Sequence, residues 1–125
     1  NNGLHERDFT FIDDIVNVME KIINKPALPN KKWRENINAY SSEAPWRVYN
    51  IGNEKPVNIL NFLNEIENIL NINANIELLP LQKGEAIITH SDSNLLFDDF
   101  KYKPKFSIKH GLKKFIDWYI NYYKV

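Results

Sequence analysis

The residues best suited to bind an anion lie at two places far apart in the sequence. Near the start, the stretch RDFTFIDD places Arg7 directly before Asp8 and a few residues before a pair of aspartates. Arginine binds phosphate through two parallel hydrogen bonds, and the chain has only three arginines against thirteen lysines. Arg7 is therefore predicted either to bind an anion or to form a plain ion pair with Glu6 or Asp8.

The second place is the turn Gln82-Lys83-Gly84-Glu85, which follows a predicted strand. A glycine turn exposes backbone N–H groups, here beside a lysine and a side-chain amide, and such a turn can line a phosphate or sugar site. The alternative is an ordinary surface turn with a charged rim, which the local pattern alone favours.

Other combinations of reactive residues are absent from the sequence. His5, His90 and His110 are scattered without metal-ligand spacing, so we expect surface or hydrogen-bonding histidines and no metal site. Adjacent carboxylates on a helix point about 100° apart, so the pairs at 13–14 and 98–99 are interpreted as solvated helix surface. The four glycines form neither a dinucleotide-binding motif nor a P-loop, and no catalytic residue is assigned.

Composition excludes several classes of protein. Sixteen basic residues balance sixteen acidic ones, which argues against a nucleic-acid or membrane-surface binder. No apolar run is long enough to span a bilayer, and the absence of cysteine is compatible with a reducing cytoplasm. The 125 residues fit one domain, and because the chain begins at Asn1 without a methionine we expect a fragment of a longer protein.

Hydrophobic periodicity indicates the elements that position these residues. It predicts a helix over about 13–24, a stronger one over 59–70, a short one near 95–100, and a last one after residue 107. The predicted N-caps of these helices, in order, are Asp13 or Asp14, Asn58, Asp92 and Ser107.

Two stretches are typical of strands, namely RVYNI (47–51) and NIELLP (75–80). With a helix between them they predict one βαβ-like unit. The proline-bounded segment 26–45 is predicted to be a long loop.

Several motifs, taken in order, resemble the C-terminal part of nucleotide-sugar epimerases of the extended short-chain dehydrogenase/reductase family. They are RDFTFIDDIV, APWRVYNIGN followed by PV and a helix, LPLQKGE, and a terminal KPK with FIDWY. The likeness covers essentially the whole chain and is greatest to bacterial UDP-glucuronate 4-epimerases. It implies a small, mostly helical α/β (α+β) substrate-binding domain over residues 1–125, with a few short strands and no complete Rossmann sheet.

The resemblance also implies roles for single residues. In this family an N-terminal Rossmann half binds NAD and carries a catalytic Tyr-x-x-x-Lys pair, while the C-terminal half binds the UDP. By resemblance, Arg7 contacts the pyrophosphate, and Gln82 stands where many relatives have another phosphate-contacting arginine. Glu85 stands where they have an aspartate that bonds the ribose, and it is one methylene longer. Arg47 lies in a matching motif but has no assigned role.

The catalytic pair is missing from this sequence, because no tyrosine is followed four residues later by lysine. The NAD loop is missing too, because no glycine-rich turn follows a strand. We therefore expect a UDP-sugar-binding half of an NAD-dependent 4-epimerase of polysaccharide biosynthesis, inactive alone and without a cofactor of its own. One alternative is a sugar-nucleotide dehydratase such as dTDP-glucose 4,6-dehydratase, which shares the RDF-like and YNIG-like motifs. Another is a non-enzymatic module that self-associates through the aromatic helix FIDWYINYY.

Overall fold

Four helices and one two-stranded sheet make up the regular structure of the chain, in a computed structural model that describes residues 1–125. The helices are α1 (Ile12–Asn24), α2 (Ile59–Leu70), α3 (Asn94–Phe100) and α4 (Ile108–Tyr123). The strands β1 (Glu6–Arg7) and β2 (Val57–Asn58) pair antiparallel. The predicted class, mostly helical with short strands and no Rossmann sheet, is confirmed. None of the helices has the length and apolar character needed to cross a bilayer.

Two of the four predicted N-caps, Asn58 and Ser107, are confirmed. Asn58 accepts a hydrogen bond from the Leu60 N–H at 2.9 Å, and Ser107 accepts one from the His110 N–H at 3.2 Å. Ser93 occupies the cap position of α3, but the Asp92 carboxylate accepts from the Asn94 N–H at 3.0 Å. The cap predicted for α1 is wrong, because this helix begins after Phe11 without a side-chain cap.

Both predicted strands are wrong, and with them the βαβ-like unit. Residues 75–80 have no regular structure, and in the other stretch only Arg47 forms a bridge, with Ser41. The strand β1 is instead flanked by β2 and by Ile88, which forms a parallel bridge with Glu6. Because β1 already has a partner on each side, neither of the two alternating stretches pairs with it.

The buried core is small and lies between α1, α3 and the segment after α3. Val18, Leu96 and Tyr102 form its centre, and a ring of half-buried side chains packs on them, namely Ile22, Tyr49, Ile51 and Phe100. Only 10 of 125 residues are buried, and the accessible surface is 9441 Å². On α4, Leu112 and Ile116 are buried, whereas the aromatic residues of the same helix remain exposed.

Candidate functional site

The segment after α2 returns to lie along the first strand of the chain. The Glu6 N–H donates to the Ile87 carbonyl at 2.9 Å, and the Thr89 N–H donates to the Glu6 carbonyl at 3.1 Å. Further back, the chain's terminal ammonium donates to the Leu79 carbonyl at 2.7 Å. These bonds fix the 79–89 segment beside β1, so the predicted anion-binding turn lies close to the N-terminal strand.

The turn itself forms as predicted. Its glycine, Gly84, has φ of +91°, a conformation that side chains with a Cβ rarely adopt, and the Glu85 N–H donates to the Gln82 carbonyl at 3.3 Å. Gln82 and Glu85 line one cleft of about 450 Å³. The start of α2 and residues 76–79 form its apolar wall, to which Leu60, Phe62 and Leu78 contribute.

A histidine that the sequence did not single out lies in the same cleft. The side chain of His5 is only 15% exposed, and its Nε2 lies 3.4 Å from Oε2 of Glu85. The arrangement is not a hydrogen bond, and Nε2 is buried without any hydrogen-bond partner. The expectation of a surface or hydrogen-bonding histidine is therefore wrong for His5. A buried polar atom of this kind is costly unless a partner satisfies it.

Arg7 lies on β1 but is not part of the cleft wall. Its Nη1 donates to the carbonyls of Glu6 at 2.9 Å and Ile87 at 3.2 Å, and the side chain takes part in no ion pair. The alternative of an ion pair with Glu6 or Asp8 is thus wrong. The structure brings Gln82 and Glu85 into one cleft and connects Arg7 to the same segment through Ile87.

The carboxylate next to Arg7 organises the neighbouring loops. Oδ2 of Asp8 accepts hydrogen bonds from the N–H and hydroxyl of Ser91, at 3.1 and 2.9 Å, and from the N–H of Glu54 at 3.1 Å. Burial raises the pKa of Asp8, but the hydrogen bonds from Ser91, Glu54 and Lys55 outweigh it and leave the pKa below its ordinary value. Asp8 thereby holds two loops against the strand that carries Arg7.

Arg47, to which the sequence assigned no role, is a structural residue in this chain. Its Nε donates to Oδ2 of Asp99 at 2.8 Å, the Tyr49 hydroxyl donates to the same oxygen at 2.8 Å, and its guanidinium lies over the ring of Tyr40. Burial, together with the hydrogen bond and charge of Asp99, raises the pKa of Tyr49. The interpretation of 98–99 as solvated surface is wrong for Asp99, whose carboxylate fixes Arg47 and Tyr49 to α3.

No cluster of three or more His, Cys, Asp or Glu side chains suited to a metal ion is found. The chain also does not fit NAD by itself. β1 leads into α1 through four residues without glycine, and the sheet has only two short antiparallel strands, so no turn approaches a pyrophosphate at a helix start.

The chain matches several relatives over nearly its whole length, but the match covers only part of each relative. Protein CapI of Staphylococcus aureus is 43% identical over 99% of this chain and 37% of CapI. UDP-glucuronate 4-epimerase 2 of Arabidopsis thaliana is 33% identical over 99% of the chain and 28% of the relative. A probable UDP-glucuronate 4-epimerase of Rhizobium meliloti is 31% identical over 98% of this chain and 36% of the relative. No protein-family model matches.

Solved structures share the fold. The Bordetella bronchiseptica enzyme WbmF, solved with NAD+ and UDP, gives a TM-score of 0.69 at 22% identity over 99% of this chain and 31% of that one. dTDP-glucose 4,6-dehydratase from Bacillus anthracis, solved with NAD, gives a TM-score of 0.68 at 17% identity. The match covers 97% of this chain and 33% of the dehydratase. The predicted resemblance to nucleotide-sugar epimerases is confirmed, and the chain spans only about a third of the length of these relatives.

Proposed function

We propose that this chain is the C-terminal, UDP-binding domain of a cytoplasmic NAD-dependent UDP-sugar 4-epimerase, with a UDP-glucuronate-like substrate. The observation that carries the proposal is the shared cleft of Gln82 and Glu85 beside the strand of Arg7, in a chain related to UDP-glucuronate 4-epimerases.

The contacts of Arg7 leave it able to bind a diphosphate. Only its Nη1 is engaged within the chain, by two backbone carbonyls, and these bonds orient the guanidinium while its other N–H groups have no carboxylate partner. A guanidinium held in this way binds two phosphate oxygens at little further loss of side-chain entropy. The Gln82 amide and the lysine of the same turn add donors and positive charge at the Gly84 turn.

Glu85 is proposed to bind the ribose. A carboxylate accepts hydrogen bonds from two adjacent hydroxyl groups, and Glu85 lies in the cleft at 3.4 Å from the His5 imidazole. The rest of a full-length enzyme would supply the NAD site, the hydride acceptor and the catalytic pair, so we expect this chain alone to bind substrate without turning it over.

Calorimetric titration of the chain with UDP tests the proposal. Arg7→Ala should weaken binding about 10- to 100-fold, because one charge-assisted phosphate contact contributes about 1.5 to 3 kcal/mol. Arg34→Ala is the matched control, since the Arg34 guanidinium pairs with both carboxylate oxygens of Glu43 at 2.9 Å in the long loop. Equal affinities of the Arg7→Ala and unsubstituted chains would contradict the proposal.

A second titration separates the ribose contact from the phosphate contact. Glu85→Ala should weaken UDP binding but leave binding of inorganic pyrophosphate unchanged, because the carboxylate meets only the sugar in this arrangement. Arg7→Ala should weaken both. An equal loss for both ligands in Glu85→Ala would contradict the role proposed for Glu85.

The fold likeness to dTDP-glucose 4,6-dehydratase supports a second candidate, a sugar-nucleotide dehydratase. The two activities leave different products from a nucleotide sugar. Product analysis of the complete enzyme separates them, because an epimerase gives the 4-epimer whereas a dehydratase gives a 4-keto-6-deoxy sugar.

A further inference from the structure

One buried nitrogen of the chain has no hydrogen-bond partner, and it belongs to the cleft of Gln82 and Glu85. Nε2 of His5 is the single buried side-chain nitrogen or oxygen that lacks a partner. A polar atom left buried and unpaired is costly, so native proteins rarely keep one without a use for it. The UDP contacts proposed for Arg7, Gln82 and Glu85 do not involve this imidazole. Neither the fold nor those contacts therefore explains a histidine at position 5.

The backbone on both sides of the imidazole is fixed. The carbonyl of His5 accepts a hydrogen bond from the Ile59 N–H at 2.9 Å, and the Glu6 N–H donates to the Ile87 carbonyl at 2.9 Å. The side chain of His5 is 15% exposed, whereas the side chain of Glu85 is 45% exposed. In this pair the imidazole is held in place and the carboxylate has room to move.

Glu85 can supply the acceptor that the imidazole lacks. Its Oε2 lies 3.4 Å from Nε2 of His5, about 0.5 Å farther than in a charge-assisted hydrogen bond. Rotation about the three side-chain bonds of a half-exposed glutamate closes a gap of this size without moving the backbone. The negative charge also favours the imidazole form with the proton on Nε2, because a lone pair there would face the lone pairs of the carboxylate.

We infer that His5 is a positioning residue for Glu85, an inference that rests on the proposed function. The Nε2–H group holds Oε2 of the carboxylate, and the remaining lone pairs of both oxygens accept from the two adjacent hydroxyl groups of the ribose. Without the imidazole the glutamate side chain rotates freely, and binding of the diol must first order it. His5 thus acts on the ribose through Glu85 and has no effect on the phosphates.

Calorimetric titrations of two variants with UDP and with inorganic pyrophosphate test this inference. His5→Phe keeps a ring but has no donor, so it should weaken UDP binding about 3- to 10-fold, the effect of having to order one free side chain. His5→Gln places an amide N–H close to the position of Nε2 and should keep the affinity for UDP within about 2-fold. Neither variant should change the affinity for pyrophosphate, which has no diol for Glu85. An equal loss for both ligands in His5→Phe would overturn the inference.

The two variants also separate positioning from packing. If the imidazole only filled space in the cleft wall, His5→Phe would bind UDP like the unsubstituted chain, and His5→Gln, which has no ring, would bind it more weakly. This reverse order would overturn the inference. The phenylalanine variant replaces a buried, unpaired polar atom with carbon, so its Tm should equal or exceed that of the unsubstituted chain.

A double variant shows whether the two residues act together. His5→Phe combined with Glu85→Ala should bind UDP no more weakly than Glu85→Ala alone, because the imidazole has nothing to hold once the carboxylate is gone. Additive losses would overturn the inference. His90→Phe, at an exposed position outside the cleft, is the matched control and should leave UDP binding unchanged.

Failure of this inference differs from failure of the proposed function. If UDP binding depends on Arg7 but is equally tight in His5→Phe and the unsubstituted chain, only the role of His5 is wrong. If the unsubstituted chain does not bind UDP, the proposed function is wrong and the role of His5 is wrong with it.

Discussion

The carboxylate of Asp14 accepts a hydrogen bond of 2.6 Å from the hydroxyl of Tyr102, which lies 88 positions later in the chain. The same carboxylate accepts from the N–H groups of Lys105 at 2.9 Å and Phe106 at 3.3 Å. Asp14 is 1% exposed and Tyr102 is 4% exposed. One buried side chain thus joins the first turn of α1 to the segment that connects α3 with α4.

Asp14→Ala should destabilise the chain strongly. The substitution leaves a buried hydroxyl and two backbone N–H groups without an acceptor, and each unsatisfied group costs about 1 to 3 kcal/mol. We expect a loss of at least about 3 kcal/mol in the free energy of unfolding, measured by urea denaturation. Asp13→Ala removes the neighbouring carboxylate, for which the structure has no such bonds, and should cost far less. Similar losses for the two variants would contradict this role of Asp14.

The alkaline stability of the chain should depend on Tyr102. Burial, then the hydrogen bond and charge of Asp14, raises the pKa of Tyr102 to about 12. In the unfolded chain the phenol loses its proton near its ordinary pKa of about 10. The stabilisation that protonated Tyr102 gives the folded chain is therefore complete below about pH 10 and is lost as the pH rises from about 10 to about 12.

Unfolding free energies measured across this range should fall more steeply for the unsubstituted chain than for Tyr102→Phe. The difference isolates Tyr102 from Tyr49, whose pKa is also raised. Tyr122→Phe, at a 66% exposed position, should keep the profile of the unsubstituted chain. Parallel profiles for Tyr102→Phe and the unsubstituted chain would disprove the assignment.

The sequence predicted the helices because the signal for a helix is local. Apolar spacing and capping by Asn58 and Ser107 depend on residues within two turns, and both caps are confirmed. The strands were missed because each has two residues, too few for an alternating pattern, and their partners are distant in the chain. RVYNI alternates for another reason, since Tyr49 and Ile51 pack on the core without a neighbouring strand.

For the candidate site, too, local features could be predicted from the sequence and contacts between distant segments could not. A glycine turn with polar neighbours is visible locally, and the turn at Gly84 forms as predicted. The burial of His5 against Glu85 depends on the return of the 79–89 segment to the first strand, which no local pattern indicates. Likewise, Asp14 and Asp99 look like surface carboxylates until their partners from other elements are known.

Acid should destabilise the chain partly through Asp8. The folded-state pKa of Asp8 lies below its ordinary value of 3.8, so the carboxylate stabilises the fold above about pH 4. This contribution is lost as the pH falls through the folded-state pKa. Asp8→Asn should therefore be less stable than the unsubstituted chain at neutral pH, and the gap should narrow in acid, as followed by urea denaturation at each pH.

The matched control for the loss of one negative charge is Asp98→Asn, at an exposed position of α3. The difference in unfolding free energy between Asp8→Asn and the unsubstituted chain should shrink at low pH. If it stays constant, ionisation of Asp8 does not contribute to stability.

Gly52 is required because the segment carrying Asp8 and Ser91 approaches it closely. A Cβ at this position would lie 1.8 Å from Oγ and 2.5 Å from Cβ of Ser91, and 2.8 Å from the carboxylate of Asp8. Gly52→Ala should therefore cost about 1 to 3 kcal/mol, since packed surroundings yield only by shifting backbone or bonded side chains.

Ser91→Gly tests whether this clash is the cause. Alone it removes the hydrogen bond from the Ser91 hydroxyl to Asp8 and should destabilise the chain, but combined with Gly52→Ala it also removes the two closest atoms. The double variant should thus be more stable than the sum of the single losses predicts, with a coupling of about 1 kcal/mol in urea denaturation. Gly84→Ala is the control, because a Cβ there meets no atom within 4 Å and its cost comes from φ alone, so it should combine additively with Ser91→Gly. Additive losses for Gly52→Ala and Ser91→Gly would mean that the fold accommodates a side chain at position 52 without moving Ser91. The close approach of Ser91 would then not be the reason that position 52 requires glycine.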